Sequence, residues 1–167
     1  RQFNITKLRW VVSGGETGQD SIYNGLVELK RYLSDDDVVM VHDGNRPMVS
    51  SEIISDSLVT YAKYGSSVAV VPCTEVVFES EDGKTSCKST EREKLFRTQT
   101  PHTYKIGELL NAHIEAKKRG ISGTAASCML MKALGKTTYF SKGSEENLKI
   151  TTTDDLKIFK ALLHTRQ

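Results

Sequence analysis

The sequence predicts an α/β domain with a mainly parallel sheet. Three observations carry this. Two short all-apolar runs, residues 38–41 and 68–71, read as strands buried on both faces. Apolar residues recur at helical spacing between such runs, as at Ile22, Leu26, Leu29 and Leu33. Strand and helix patterns alternate through most of the chain, which is the signature of parallel βαβ units.

Taken in order, residues 8–13 read as a strand closed by Gly14 and Gly15, followed by a helix from about Asp20 to Leu33. Asp35, Asp36 and Asp37 form a turn before the strand at 38–41. Ser50 or Ser51 caps the next helix, which carries Ile53, Ile54, Leu58 and Tyr61 on its apolar side and ends near Gly65. After the strand at 68–71 the pattern changes. Residues 76–90 read as a hairpin turning at Asp82-Gly83, a favoured two-residue turn. The hairpin has little apolar surface of its own, so residues from about 74 to 95 are expected to project as an arm. A short strand near 96–98 leads to Pro101, and helices follow at about 106–118 and 125–134. Late strands are expected at 137–140 and 148–150, and Thr153, Asp154 and Asp155 are expected to cap a last helix to about His164.

The 167 residues suffice for one domain with a real core. Basic and acidic side chains number 23 and 21, a net charge of +2, and no basic block or stripe occurs. That balance argues against a nucleic-acid protein acting through bulk positive charge. No apolar run approaches a membrane span, and no signal peptide is read. Cys73, Cys87 and Cys128 are odd in number and scattered, and fit neither a zinc spacing nor a disulfide framework. They read as free thiols of a cytoplasmic protein. Residue 1 is arginine and a strand pattern begins at Leu8, so the expectation is a domain cut near its start.

Four segments carry possible chemistry, each with two readings. Gly14-Gly15-Glu16-Thr17-Gly18 lies between a strand and a helix. Glycines there let backbone approach a ligand and the helix start favours anions, but an ordinary βα turn looks the same. His42-Asp43-Gly44-Asn45-Arg46-Pro47 follows a buried strand, where open α/β sheets hold ligands. Asp43 could hold a metal and Arg46 a phosphate, with Gly44 allowing close approach; alternatively Asp43 and Arg46 form a local ion pair. His42, with no nucleophile to pair, reads as structural. Arg92, Lys94, Arg97 and Thr100 could reach a phosphate or form a solvated charged loop. Lys149, after Glu145-Glu146, could stabilise developing charge or be an edge-strand charge.

In this order, Gly14-Gly15 with Asp20-Ser21, His42-Asp43 with Arg46-Pro47, Gln99-Thr100-Pro101, and 147–151 with Asp155-Leu156 resemble the cytidylyltransferases of sugar-alcohol phosphates. The resemblance runs from about Leu8 to His164. One branch acts on 2-C-methyl-D-erythritol 4-phosphate in isoprenoid synthesis, the other on ribitol 5-phosphate in teichoic-acid and capsule synthesis. It implies a Rossmann-like nucleotidyltransferase fold, transfer of CMP from CTP to the polyol phosphate, release of pyrophosphate, and Mg²⁺ as cofactor. Carried over, Gly15, Glu16 and Ser21, with Gly14 beside them, would bind the nucleotide. Asp43 would hold Mg²⁺. Gly44, Arg46 and Thr100 would line the polyol phosphate site with Thr124 near, Glu146 would also bind substrate, and Lys149 would lie by the transferring phosphates. Arg92 would come from an arm that completes a second subunit's site, implying a homodimer with neither nucleic acid nor membrane as partner.

This sequence departs from the pattern in places. The family's glycine-rich loop with its Arg and downstream Lys, which cradles the triphosphate, does not occur in it, so the chain alone is expected to be inactive. Gly18 stands where Arg is common, Val76 where the erythritol branch has Thr, Ala125 and Ala126 where an acidic pair follows Thr124, and Glu146 where Asp is usual. Residues 141–143 before 147–152 look closer to the ribitol branch. The rivals are a non-catalytic nucleotide-binding or regulatory module of this fold, and a related transferase using another base.

Overall fold

A computed structural model of the protein describes residues 5–165. Its elements in chain order are α1 (Gly18–Leu29), β1 (Val38–Val41), α2 (Ser51–Tyr64), β2 (Ser67–Pro72), β3 (Phe78–Glu79), β4 (Lys88–Ser89), a 3-10 turn (Arg92–Lys94), β5 (Phe96–Lys105), α3 (Ile106–Lys118), α4 (Ser127–Ala133), β6 (Phe140–Lys142) and α5 (Thr153–Thr165). The α/β class holds. Four strands form a sheet in the order β1-β5-β2-β6, and β3 and β4 form a second, antiparallel pair. β2 and β6 run parallel, with Val68 opposite Phe140, but the sheet is mixed rather than mainly parallel. A parallel neighbour needs a long crossover, and β5 is fed by the hairpin instead. Among the described residues no helix is long and apolar enough to cross a membrane.

The chain divides into two compact units. One holds residues up to Val41 with Thr103–Thr138. In it α3 packs against α1 and α4, burying Leu26, Ile106, Leu109, Ala116, Leu130 and Met131. α1 starts two residues before the expected Asp20 because Thr17 and Asp20 form a capping box. It ends at Leu29, short of Leu33, and Tyr32 stacks on Trp10 instead. The aspartate turn receives the start of α3: Asp37 and Asp35 carbonyls accept from the Ile106 and Gly107 N–H groups at 2.9 and 3.0 Å. A Cβ at Gly107 would lie 2.6 Å from Asp35 Cβ, so that approach requires glycine. Residues 8–13 are not a strand; Leu8, Val11 and Val12 are exposed. Apolar patterning makes a strand only where a neighbour accepts its backbone, and these residues pair with no strand among the described residues. β1 is half-buried rather than buried on both faces.

The other unit holds His42–His102 and the residues from Tyr139 on. β2 is buried from Ser67 to Val71 and is covered by α2. Ser50 caps α2, and Gly65 at φ +82° ends it. Its buried face is Ile53 and Ser57, with Ile54 and Leu58 exposed. The small Ser57 lets the helix approach, and its hydroxyl, Ser67 and Ser141 form a buried chain with links of 3.1 and 2.8 Å. The hairpin turns through residues 80–87, wider than a two-residue turn. Asp82 Oδ1 accepts from the Lys84 and Thr85 N–H groups at 2.8 Å each, which organises the wide loop. β5 runs ten residues through Pro101, far beyond the expected 96–98, because its stretch 99–104 is buried. β6 lies at Phe140–Lys142, not 137–140. Residues 148–150 are loop, since Ile150 exchanges its backbone bonds with Asn45 rather than with a strand. Thr152, not Thr153, caps α5, accepting from Asp155 N–H at 3.2 Å.

Candidate active site

The turn that follows β1 gathers the charged residues of the second unit. Arg46 N–H closes the turn on the Asp43 carbonyl at 3.0 Å. Arg46 Nε and Lys149 Nζ both reach Asp43 Oδ2, at 3.1 and 3.2 Å. Arg46 Nη1 also donates to the Asn147 carbonyl at 2.8 Å. The Arg46 side chain is 11% exposed, that of Asp43 31% and that of Lys149 43%. The local ion pair of Asp43 and Arg46 is present, and Lys149 joins it. Burial pushes the Asp43 carboxyl up, but hydrogen bonds from Lys149 and Arg46 and their charges outweigh it and hold the carboxyl below its usual range. Two cations on one anion leave a local charge of about +1, a setting for phosphate.

Thr100 and the two histidines form the floor. Asp43 N–H donates to Thr100 Oγ1 at 3.0 Å. His42 lies 3.0 Å from Thr100 Oγ1 through Nδ1 and 3.0 Å from the Arg46 carbonyl through Nε2. A carbonyl only accepts, so Nε2 carries the proton and Thr100 donates to Nδ1. His42 thus has the structural role expected of it, but at the centre of the group. His102 is buried beside Asp43, Arg46 and His42; burial lowers its pKa to about 4, against the opposing pull of a bond to the Gln99 backbone and of Asp43. Its Nε2 and Asn147 Oδ1 are buried without a partner, an unfavourable arrangement that ordinary cores avoid.

Gly44 has no neighbour within 4 Å of a built Cβ and no left-handed φ, so the backbone itself does not demand glycine there. Arg92 sits on the 3-10 turn and its partners are the Thr74 carbonyl and Glu93, not the Asp43 group. Lys94 pairs with Glu91 and Arg97 with Glu145. Glu146 is exposed on the loop that carries Lys149, its N–H bonded to Ser144 Oγ at 3.2 Å.

The Gly14–Ser21 segment belongs to the first unit. Gly15 N–H donates to Ser21 Oγ at 3.0 Å, and Ser21 donates to the Thr17 carbonyl at 3.0 Å. A Cβ on Gly15 would lie 2.2 Å from Asp20 Cβ and one on Gly14 3.3 Å from Ser21 Oγ. Glu16 is exposed at the tip. Thr124, in the same unit, is held by Gln19, whose Oε1 accepts from the Thr124 N–H and hydroxyl at 3.0 and 2.9 Å. Gln19, His102 and Asn147 escaped the sequence reading as site residues: no spacing marks a buried amide or imidazole whose partner is distant in the chain.

Among the described residues no three His, Cys, Asp or Glu side chains cluster for a metal. The single half-buried carboxylate of Asp43 fits Mg²⁺, which keeps waters and binds through one or two carboxylates plus substrate phosphates.

An α/β sheet with an acid–base turn just past a strand, where such sheets hold their ligands, puts the protein in the class of α/β ligand-binding domains. The comparisons narrow this. The sequence profile of the 2-C-methyl-D-erythritol 4-phosphate cytidylyltransferase family matches residues 2–165, and the chain belongs to that family. It is 41% identical to a ribitol-5-phosphate cytidylyltransferase of Lacticaseibacillus paracasei, across 100% of this chain and 72% of the relative. It is 39% identical to a 2-C-methyl-D-erythritol 4-phosphate cytidylyltransferase of Clostridium acetobutylicum, across 97% of this chain and 69% of the relative. The crystal structure of 2-C-methyl-D-erythritol 4-phosphate cytidylyltransferase from Thermus thermophilus superposes with a TM-score of 0.80 at 29% identity, covering 92% of this chain and 72% of that one.

Proposed function

We propose that this protein transfers CMP from CTP to a polyol phosphate, either 2-C-methyl-D-erythritol 4-phosphate or ribitol 5-phosphate. An acceptor phosphate oxygen attacks the α-phosphorus, the bond to the β-phosphate oxygen breaks, and pyrophosphate leaves. The observation that carries this is the Asp43–Arg46–Lys149 group, one carboxylate oxygen shared by two cations. Lys149 is exposed enough to leave Asp43 for a phosphate, whereas Arg46 is held by Asn147 and keeps its orientation. Asp43 would hold Mg²⁺, which would supply charge neutralisation on the nucleotide phosphates. Catalysis is then mostly positioning and electrostatics. Gly14, Gly15, Glu16 and Ser21 would bind the nucleotide, and Gly44, Thr100, Thr124 and Glu146 the acceptor side. Arg92, at the base of the arm, would serve a second copy in a homodimer.

Val76, Ala125 and Ala126 depart from the pattern of the erythritol branch, and residues 141–143 look closer to the ribitol branch. The family's glycine-rich loop with Arg and Lys is not found among these 167 residues, so we read them alone as unable to turn over. The test uses the protein as its gene encodes it, with CTP, Mg²⁺ and each acceptor in parallel, following pyrophosphate. One acceptor is expected to turn over, and Asp43→Ala to lose about 10²–10³-fold in kcat. Full Mg²⁺-dependent turnover in Asp43→Ala would refute the metal role, and equal use of UTP or ATP would refute the cytidine reading.

A further inference from the structure

We propose that Gln99 is a positioning residue for the Asp43 group: it clasps Ser144 and Asn147 and so sets the loop that brings Lys149 to Asp43. The proposal rests on the function above only where activity is measured. Gln99 is buried on β5, and both polar atoms of its amide are bonded. Nε2 donates to the Ser144 carbonyl at 2.8 Å. Oε1 accepts from the Ser144 N–H and from Asn147 Nδ2, each at 3.2 Å. The orientation is unique, because reversing the amide would set its oxygen against a carbonyl and its nitrogen against two donors.

Asn147 carries the constraint onward. It is wholly buried, and its Nδ2 also donates to the Thr100 carbonyl at 2.9 Å. Its own carbonyl receives Arg46 Nη1. Two residues later comes Lys149, and Ile150 is then tied back to Asn45 by two bonds of 2.8 and 2.9 Å. The loop is therefore pinned at Gln99 on one side of Lys149 and at the Asp43 turn on the other. Gly143 shows how tight the clasp is. A Cβ there would lie 2.6 Å from Gln99 Oε1 and 2.8 Å from the Val70 carbonyl. Gln99 touches neither Asp43 nor Lys149 in its hydrogen bonds, so it acts through the loop.

The test compares Gln99→Leu, Gln99→Glu and Gly143→Ala in the protein as its gene encodes it, with thermal melts to confirm folding. Gln99→Glu keeps an acceptor but presents a second oxygen to the Ser144 carbonyl, so it should not rescue. With Gln99→Leu, kcat is expected to fall about 10–100-fold while KM for CTP stays within about threefold, since a shift of about 1 Å can cost that much. In a Lys149→Ala background the same change should cost little more, because the two act together. Equal losses in both backgrounds, or unchanged kcat, would overturn the proposal. Lys149 acylation by a soluble amine reagent, read on its peptide by mass spectrometry, needs no activity. Gln99→Leu and Gly143→Ala should speed it several-fold and leave exposed Lys157 unchanged. Faster labelling in a protein without CMP transfer would fail the proposed function yet keep the clasp; normal transfer with unchanged labelling would sink the clasp alone.

Discussion

The Gly14–Ser21 loop and the Asp43 turn are both short polar segments suited to phosphates, yet they are held in opposite ways. The turn of the first is closed by bonds that span six residues or fewer, Gly15 to Ser21, Ser21 to Thr17 and Thr17 to Asp20, while Gln19 at the start of its helix reaches Ile121 and Thr124. The second is built across the sequence. Asp43 meets Thr100 across 57 residues, Arg46 meets Asn147 across 101, and Asn45 meets Ile150 across 105. A local loop forms with its own helix and tolerates change elsewhere. A turn assembled from β5 and the 143–150 loop exists only when the whole unit has folded, so its stability and its chemistry are one quantity.

The largest expected effect sharpens that difference through His102. Its imidazole is neutral and buried, with its pKa lowered from 6.5 to about 4 by burial. A base depressed in the folded state binds its proton more readily when unfolded, so folding free energy is intact above about pH 6.5 and falls as the pH drops toward 4. Asp43, Arg46 and His42 face this ring, and the first of these opposes the depression. The full window corresponds to about 3 kcal/mol. Urea melts between pH 7.5 and 4.5 should show this loss, and His102→Gln should flatten it. An unchanged acid limb in that variant would place the pH sensitivity elsewhere.

Gly15→Ala tests the local loop in turn. Its Cβ would strike the Asp20 backbone carbonyl carbon at 2.9 Å as well as Asp20 Cβ, and a helix backbone does not yield cheaply. Overpacking of this kind costs about 1–3 kcal/mol. The expected outcome is weaker CTP binding by about tenfold in calorimetry, with the Asp43→Ala defect unaltered because the turn at Gly15 is closed by Ser21, Thr17 and Asp20. Normal CTP affinity would mean that the loop's backbone is not held against the nucleotide.

This contrast also explains what could be read from the chain. The helix start near Asp20, Ser50 and Gly65, and the helix at Ile106–Lys118 follow from local spacing and capping, and the structure places them within a residue or two of expectation. Asp43, Arg46 and Lys149 were found as chemistry, and the structure brings them together. Gln99, His102 and Asn147 were not assigned roles, because their partners lie 45 or more residues away or are backbone atoms, which residue types do not reveal. The strand expected at 8–13 failed for the same reason in reverse. Its pattern was right for a strand, but a strand is a relation to a neighbour, and patterning carries no information about that.

The smallest expected effect separates cap from site within the local loop. Thr17→Ala removes the hydroxyl that accepts from Asp20 N–H at 3.1 Å and donates to its carboxylate at 2.6 Å. Loss of an N-cap costs about 1 kcal/mol, and the Thr17 carbonyl that holds Ser21 survives. The variant should lose about 1 kcal/mol in urea and bind CTP within about twofold of the parent. Thr17→Ser, which keeps the hydroxyl, should restore the stability. If Thr17→Ala instead weakened CTP binding as much as Gly15→Ala, the capping box would be part of the nucleotide site, and the loop would depend on its helix as closely as the Asp43 turn depends on β5.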